Sequence, residues 1–515
     1  MLCVISWDSK SNKPSFQVLE MKDLVACTGK SIAQTLQDTF NHFKLNPQQC
    51  FVCVTDNTNY MSGKTGGAIS LFNKLNNTNM FRIPCGLHVA HIIMNNFEDA
   101  AFGKLPSISG FSQKEHPANH LYLAWELHDG YSKSDKDKPM GIRSDYICQL
   151  YKERFNYQLK KYQQPIRSRW LYELKCAEQF LERKDIHIKF TEWFLSRLKN
   201  RNNTPKSYIK KWELFYNWLQ NPILNIQIRL LVRFGRDLYY PMTRFLMGYD
   251  SELNENLSIN LSPGYRSHQM SDFVARITTK LSNIVEYPYS FFRDELLESL
   301  NLLNDDQLAK LISDLECGAK KALELHQKWL NCWLHLSQSF ARSYAHVVLK
   351  ISLLSVPSLR ELCYMKFIKL DTEAGEFNDF GLLAALQDPG FNHEFNQLIQ
   401  ERKPLSEFPK IFEFVKHRIW YIMIHQQEVE GLFNKWDLKT HPNMSSDLQQ
   451  SKMRLASLPL NEIGYNSSDL LEFRTRKRQQ QARFMNNQIS SKENLNDSER
   501  EEKANKLFDD LFERK

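Results

Sequence analysis

Apolar residues recur three and four positions apart over most of the chain, a spacing that predicts amphipathic helices. The longest such stretches follow residue 145 and cover 171–180, 186–198, 224–245, 302–351 and 411–436. In the first hundred residues, short runs of β-type residues alternate with helical segments. The pattern predicts a small α/β region followed by a much larger helical region.

The α/β region is predicted to begin with a hairpin, because LCVIS and SFQVLEM flank the polar segment DSKSNKP. A helix follows, with Ile32, Leu36, Phe40 and Phe43 at helical spacing and Ser31 as the expected N-cap. The apolar run FVCVT comes next as a strand. Strand, helix and strand in this order predict a parallel pair joined by a crossover.

The segment SGKTGG after this strand has some letters of a phosphate-binding loop but not its glycine pattern. Such a loop needs a glycine where this chain has Thr58, so that backbone amides can surround the phosphates. We therefore interpret the segment as a connector into a helix that begins near Ala68.

Composition limits the class of protein. The chain has 515 residues, of which 42% are hydrophobic and 24% charged, an ordinary balance for globular domains. No run approaches the ~18 uncharged apolar residues of a membrane span, so no membrane partner is expected. The net charge of +8 permits nucleic-acid binding without requiring it. Ten scattered cysteines favour reduced thiols inside a cell.

Four of the possible metal ligands, Cys50, Cys53, Cys85 and His88, are spaced formally like a zinc site. Side chains three positions apart on a strand point to opposite faces, which separates Cys50 from Cys53 unless Cys50 already belongs to the turn. Zinc is therefore not expected, and Cys53 is interpreted as a small buried apolar residue.

Asp56 ends the apolar strand, and the carboxyl ends of parallel strands are where α/β folds bind their ligands. An aspartate at a strand end is also a common turn former or helix cap. The residues alone leave both interpretations open.

Four segments follow one another along the chain: Thr28 to Met61, IPCGLHVAHIIMNNF, SRWLYEL and QQEVEGLFNKWDLKT. In this order they resemble segments of the hAT transposase superfamily. The segment from Thr28 to Met61 resembles the helix and strand that end in the family's second catalytic Asp followed by Asn, which match Asp56 and Asn57. The segment IPCGLHVAHIIMNNF resembles the family's Cys-x-x-His segment through Cys85 and His88, and we expect a structural role for both.

The third segment, SRWLYEL, resembles the family's Thr/Ser-Arg-Trp motif through Ser168, Arg169 and Trp170. The fourth, QQEVEGLFNKWDLKT, resembles a divergent form of its C-terminal segment, with Glu430 as the Glu and Phe433 as the Phe. The resemblance spans roughly residues 15 to 455, and its specificity comes from the order of four individually weak segments.

The resemblance implies an α/β plus α fold, predominantly helical overall. A ribonuclease H-like mixed sheet core would be interrupted by a large all-helical insertion. The corresponding segments are 1–165 for the N-terminal part of the core, 166–404 for the insertion and 405–460 for C-terminal core and dimerisation helices. Residues 461–515 would form a charged flexible tail, although their composition also fits a solvated helix.

The resemblance also implies two-metal chemistry, in which Mg²⁺ ions held by about three carboxylates cut and rejoin DNA. Asp56 and Glu430 match the second and third of these carboxylates. Trp170 would stack on a base and Arg169 would pair with a phosphate. An ordinary buried aromatic at the start of a helix is the other interpretation of Trp170.

The departures from the family predict that strand transfer is lost. In the family the first Asp lies on a strand that would precede MLCVIS, and we expect this strand and the family's zinc-finger domain to be missing, with Asp8 as the nearest acidic candidate for a replacement. Glu430 stands between Val429 and Gly431, without the family's arginine. Any remaining activity would use Mg²⁺, held loosely by the remnant carboxylates Asp56 and Glu430.

The expected function is therefore that of a transposase-derived protein that binds DNA and associates with itself. The basic run RTRKR, from Arg474 to Arg478, favours a nuclear location or a phosphate contact, and a solvated helix face is the alternative. Two other functions stay open: an active transposase whose gene model is incomplete, and a protein-interaction scaffold without DNA binding.

Overall fold

The computed structural model describes residues 2–8, 13–20, 24, 26–50, 52–63, 65–78, 80–105, 114–128, 144–166, 170–201, 204–247, 270–348, 385, 387–400, 407–418 and 495–513. This part of the chain is predominantly helical, as expected, with four strands in two small sheets. The mixed ribonuclease H-like core and the division into four segments stay predictions.

Two compact units make up the chain, and each combines three separate stretches. The first unit comprises Met1–Ala90, Met242–Thr278 and His326–Asn486. The second comprises His91–Pro241, Thr279–Leu325 and Asn487–Lys515.

The first unit begins with the predicted hairpin. Strands β1 (Leu2–Asp8) and β2 (Lys13–Glu20) are antiparallel, with Leu2 opposite Glu20 and Asp8 opposite Lys13. Asp8 therefore lies at the last paired position of β1, opposite Lys13.

A parallel pair is also present, but its partners differ from the expected ones. Strand β3 (Val52–Thr55) pairs with β4 (Phe81–Pro84), whereas the sequence pattern paired β3 with the second hairpin strand. Helices α2 (Asn59–Ser62) and α3 (Ala68–Asn76) connect β3 to β4 and supply the crossover that a parallel pair requires.

Helix α1 (Gly29–His42) precedes β3 and begins with a capping box. Thr28 is the N-cap, and its hydroxyl accepts from the Ser31 amide at 3.1 Å. Ser31, expected as the cap, is instead the reciprocal partner that accepts from the Thr28 amide at 3.0 Å. The apolar face of α1 packs with α3 in a small core formed by Ala33, Leu36, Phe40, Ile69, Phe72 and Met80.

The connector before α3 packs closely against the start of α1. A Cβ placed on Gly29 would lie 2.0 Å from the Gly66 carbonyl oxygen, so only glycine fits this approach. Helix α3 begins at Ala68, which confirms the predicted start.

The remaining described elements are helical. They are α4 Gly86–Phe102, α5 Pro117–His128, α6 Ser144–Phe155, α7 Trp170–Lys199, α8 Lys206–Gln220, α9 Pro222–Phe234, a π-helical turn Gly235–Tyr239, α10 Tyr240–Met247, α11 Met270–Glu286, α12 Pro288–Phe291, α13 Arg293–Ser299, α14 Asp305–Val348, α15 Pro389–Gln400, α16 Pro409–Arg418 and α17 Asp497–Glu513. Every helix in the described ranges is too short or too polar to cross a bilayer.

The predicted helical stretches correspond well to these elements. Residues 171–180 and 186–198 belong to the single helix α7, and 224–245 spans α9, the π-helical turn and most of α10. Residues 302–351 correspond to α14, and the predicted helix 411–436 is described only as far as Arg418.

The second unit is built around large aromatic side chains on α7, α8 and α9. Fully buried members of this core include Trp170, Phe180, Phe190, Phe194, Trp212, Phe215, Trp218 and Phe234. Such rings bury much apolar surface each, which explains how long helices with modest amphipathicity pack together.

Candidate functional site

Asp56 lies directly after β3, at the carboxyl end of the parallel pair. Its Oδ1 atom accepts from the Thr58 hydroxyl at 2.7 Å and from the Thr58 amide at 3.3 Å. These contacts make Asp56 the acceptor of a short turn that leads into α2, whose N-cap is Thr58. Within the part of the chain that the structure describes, the half-buried Asp56 carboxylate therefore stabilises this turn.

Arg82 lies on the neighbouring strand β4, opposite Cys53 in the parallel register. Its side chain extends to the carboxyl end of β3. Its Nη1 atom donates to the Thr55 hydroxyl at 3.0 Å, to the Asp56 carbonyl at 3.1 Å and to the Asn57 side-chain oxygen at 3.4 Å. One guanidinium therefore holds three successive residues at the end of β3.

Cys85 and His88 lie where β4 passes into α4. The Cys85 amide donates to the Thr55 carbonyl at 2.9 Å and so extends the pairing of β3 with β4 by one bond. The Cys85 carbonyl accepts from the Val89 amide at 2.9 Å, which begins the helix. Cys85 is fully buried and His88 is half-buried in the first turn.

The two other cysteines of the formal zinc set are half-buried, although Cys53 was expected to be a buried residue. Burial raises the pKa of Cys50 to about 11 and that of Cys53 to about 12, so both are protonated near neutral pH. The described residues contain no group of three or more His, Cys, Asp or Glu side chains that could hold a metal ion.

The described part of the β3 end does not fit the magnesium pair that the family resemblance implies. It offers one carboxylate, that of Asp56, already engaged by Thr58, and the Arg82 guanidinium lies 3.1 Å from the Asp56 carbonyl oxygen. A divalent cation needs several oxygen ligands, and a neighbouring positive charge repels it. Glu430, the other matched carboxylate, lies outside the described residues.

Trp170 opens α7 in the second unit and is completely buried. Its ring meets the Tyr239 ring edge to face, with centroids 4.9 Å apart. Because the ring is enclosed, stacking on a base would require it to be uncovered first, and that role stays a prediction. Its neighbour Arg169 and the basic run 474–478 lie outside the described residues.

A buried hydrogen-bonded chain in the second unit was not anticipated from the sequence. His128 Nε2 lies 2.8 Å from the Tyr151 hydroxyl, and that hydroxyl lies 2.6 Å from His187 Nδ1. His187 Nε2 then lies 2.6 Å from the Tyr162 hydroxyl. The four residues lie on α5, α6, α7 and the segment before α7. Because they are far apart in the sequence, no local motif predicts their contact.

The hydrogen bond at the His128 end determines which group donates in each of the other bonds. His128 Nδ1 lies 2.7 Å from the Ala124 carbonyl, which only accepts, so this nitrogen carries the proton. His128 Nε2 therefore accepts from Tyr151, whose oxygen accepts from His187 Nδ1, and His187 Nε2 accepts from Tyr162. Every bond has one donor when both histidines are neutral.

Burial keeps these groups neutral. It lowers the pKa of His128 to about 4 and that of His187 well below its usual range, with the nearby Arg183 acting in the same direction. Burial likewise raises the pKa values of Tyr151 and Tyr162 well above the usual range. The hydrogen bonds therefore fix the tautomers of both neutral histidines.

Comparisons with known proteins add no family to this description. Models of known protein families give no match to the chain, and curated proteins give none either.

Proposed function

We propose that this protein is a transposase-derived, nucleic-acid-binding and self-associating protein that lacks DNA strand transfer. The observation that carries the proposal is the position of Asp56 and Asn57 at the carboxyl end of β3, with Cys85 and His88 at the turn from the parallel strand β4 into α4. This is the order in which the resembled family arranges its second catalytic Asp and its Cys-x-x-His segment.

The loss of catalysis is supported by the chemistry at the end of β3. Asp56 accepts two hydrogen bonds from Thr58, and Arg82 supplies a positive charge beside it. A carboxylate used as a turn acceptor beside a guanidinium is a poor ligand for Mg²⁺. We infer that Asp56 retains the position of an ancestral ligand and now stabilises the turn.

Nucleic-acid binding is supported by the net charge of +8 and by the basic run Arg474–Arg478, which also favours a nuclear location. The Arg-Trp motif gives weaker support, because Trp170 is enclosed by its own unit.

The burial of Trp170 also favours a second candidate function, a protein-interaction scaffold that kept the fold and lost DNA binding. In that case the arginines and lysines of the chain would serve solubility and partner selection.

Binding to a fluorescently labelled DNA hairpin, followed by anisotropy between roughly 50 and 200 mM NaCl, tests the proposal. We expect binding that weakens steeply with salt, together with self-association in analytical ultracentrifugation. Absence of binding at every salt concentration would favour the scaffold.

A strand-transfer assay with Mg²⁺ tests the remaining possibility, an active enzyme. The test variant is Asp56→Asn, which removes one negative charge at the end of β3. The control variant is Asp38→Asn, which removes one negative charge on the exposed face of α1. We expect no product from the wild type or either variant. Product that Asp56→Asn abolishes and Asp38→Asn retains would overturn the loss of catalysis.

A further inference from the structure

Helix α17 is an acidic helix that packs on α6 within the second unit and contacts α7 through its side chains. Seven of its 17 residues are acidic and three are basic, so it carries a net charge of −4 in a chain whose total is +8. The sequence pattern alone left this segment as a solvated helix or a flexible tail.

The first half of α17 directs two carboxylates at two arginines. Asp497 lies 2.6 Å from Arg154 Nη1, and Glu501 lies 2.7 Å from Arg197 Nη2 and 3.7 Å from Arg154 Nη2. Asp497 and Glu501 are four positions apart, so they lie on one face about 6 Å from each other along the helix.

The same row of positions continues into the second half of α17. The Asn505 side-chain oxygen accepts from Arg197 Nε, and Asp509 lies 3.6 Å from Arg201 Nη1. Residues 497, 501, 505 and 509 thus present a regular line of oxygen acceptors to three arginines. A phosphodiester backbone presents a comparable line of anionic oxygens.

Aromatic side chains adjoin these arginines. Phe508 of α17 packs between Trp193 and Phe194, with centroid distances of 6.2 and 5.5 Å. The Arg197 guanidinium lies over the Trp193 ring, 4.6 Å from its centroid. Removing α17 would therefore uncover the parts of the Trp193 and Phe194 rings that Phe508 contacts, on the helix that carries Arg197.

The apolar part of the attachment of α17 depends on few side chains. Ala504 and Phe508 are its fully buried residues in the described part of the helix. The carboxylates of its ion pairs are solvent-exposed, with 82% exposure for Asp497 and 61% for Asp509, and such pairs contribute little net stability. Displacement by a stronger polyanion is therefore physically accessible.

We propose that α17 covers a binding surface for single-stranded nucleic acid formed by Arg154, Arg197, Arg201, Trp193 and Phe194. This inference rests on the proposed nucleic-acid-binding function and specifies both the ligand class and its regulation. The acidic helix occupies the places that phosphates take in the bound state, so release of α17 and binding are coupled.

The chemistry of the surface favours nucleic acid over an acidic peptide. Guanidinium groups match phosphate oxygens in paired geometry, and aromatic rings that become accessible beside them stack with unpaired bases. An acidic peptide would pair with the arginines. It would contact the aromatic rings only through occasional apolar side chains, as α17 does through Phe508.

The test uses the full chain with α17 released by Ala504→Asp/Phe508→Asp, which places two carboxylates at its buried anchors. The control, Asn496→Asp/Ser498→Asp, adds the same charge at exposed positions beside and within the first turn of α17. Binding to labelled oligodeoxythymidylate of roughly 20 nucleotides, longer than one site, is measured by anisotropy, and hydrogen exchange of α17 amides reports its release.

We expect the released variant to bind about tenfold or more tightly than the wild type, because three phosphate contacts become available, while the control matches the wild type. Adding Arg197→Gln and Arg201→Gln to the released variant should remove the gain. A synthetic peptide of residues 495–513 should compete with the oligonucleotide.

Fast exchange of α17 in the released variant without any gain in affinity would overturn the inference, as would dimerisation of that variant in place of oligonucleotide binding. Slow exchange of α17 in that variant would also count against it, because the inference requires Ala504 and Phe508 to anchor the helix. If the wild type binds the DNA hairpin while the released variant gains nothing, only the inference fails. If no form binds either DNA at any salt concentration, the proposed function fails with it.

Discussion

The Trp170 ring lies directly against Gly235, the first residue of the π-helical turn between α9 and α10. A Cβ placed on Gly235 would come within 2.7 Å of the ring carbon Cη2 and equally close to Leu174. The Tyr239 ring also meets the Trp170 ring edge to face. Trp170, the first residue of α7, is thus closely packed and completely buried.

Gly235→Ala is expected to destabilise the second unit by about 1–3 kcal/mol, because the added methyl group has no room beside Trp170. Urea unfolding followed by tryptophan fluorescence measures the change. Asn217→Ala on the exposed face of α8 serves as the control and should change stability by less than about 0.5 kcal/mol. Equal effects of the two substitutions would show that the contact with Trp170 is loose.

Tyr151→Phe is expected to cost about 1–3 kcal/mol, because it leaves His128 Nε2 and His187 Nδ1 buried without their shared hydroxyl. Tyr122→Phe removes a hydroxyl from a half-buried tyrosine on α5 and should be nearly neutral. Chemical denaturation at neutral pH compares the two. A Tyr151→Phe variant as stable as the control would argue against the directed hydrogen-bonded chain.

The stability of the second unit should fall as pH decreases from 7 to 5. Burial lowers the folded-state pKa of His120 to about 3 and that of His128 to about 4, whereas unfolded histidine has a pKa of about 6.5. The unfolded state therefore binds more protons below pH 6.5, so the stability present above that pH is progressively lost below it. The expected loss is about 1–2 kcal/mol for each such histidine.

His120 offers a direct test of this dependence, because its ring is enclosed by Phe180, Phe215 and Trp218. His120→Leu should flatten the plot of unfolding free energy against pH by about 1–2 kcal/mol between pH 7 and 5. An unchanged pH dependence in this variant would contradict the assignment of a neutral buried imidazole.

Asp56→Ala should destabilise the first unit by about 1 kcal/mol, because the Thr58 amide and hydroxyl lose their acceptor. Asp56→Asn keeps an acceptor oxygen and should be close to neutral, as should Asp38→Ala on the exposed face of α1. Thermal unfolding with and without Mg²⁺ provides the measurement. A magnesium-dependent stabilisation that Asp56→Asn abolishes would instead identify a metal site.

Much of the local structure was predictable from the sequence, because it depends on residues close together. The hairpin of β1 and β2, the start of α3 at Ala68 and the helices α7, α9 and α14 follow from hydrophobic spacing and turn residues. The choice of N-cap was one turn in error, since both Thr28 and Ser31 carry suitable hydroxyls and only the backbone geometry distinguishes them.

Partnerships across the chain were less predictable. The apolar run of β3 predicts a buried strand but not the strand that pairs with it. In the structure that partner is β4. The residues next to Trp170 in the sequence do not indicate whether its ring faces a ligand or the core. Its contacts with Gly235 and Tyr239, which are distant in the sequence, show that the ring is enclosed.

Periodicity and strand boundaries are local properties, so the sequence was sufficient to predict the predominantly helical character, the main helices and the position of Asp56 at the carboxyl end of a strand. The folded structure was needed to show that His187 and Tyr151, 36 positions apart, share a hydrogen bond and that Arg154 pairs with Asp497, 343 positions away. Such contacts form when distant segments pack together, and their energies depend on burial and geometry that no short stretch of residues encodes.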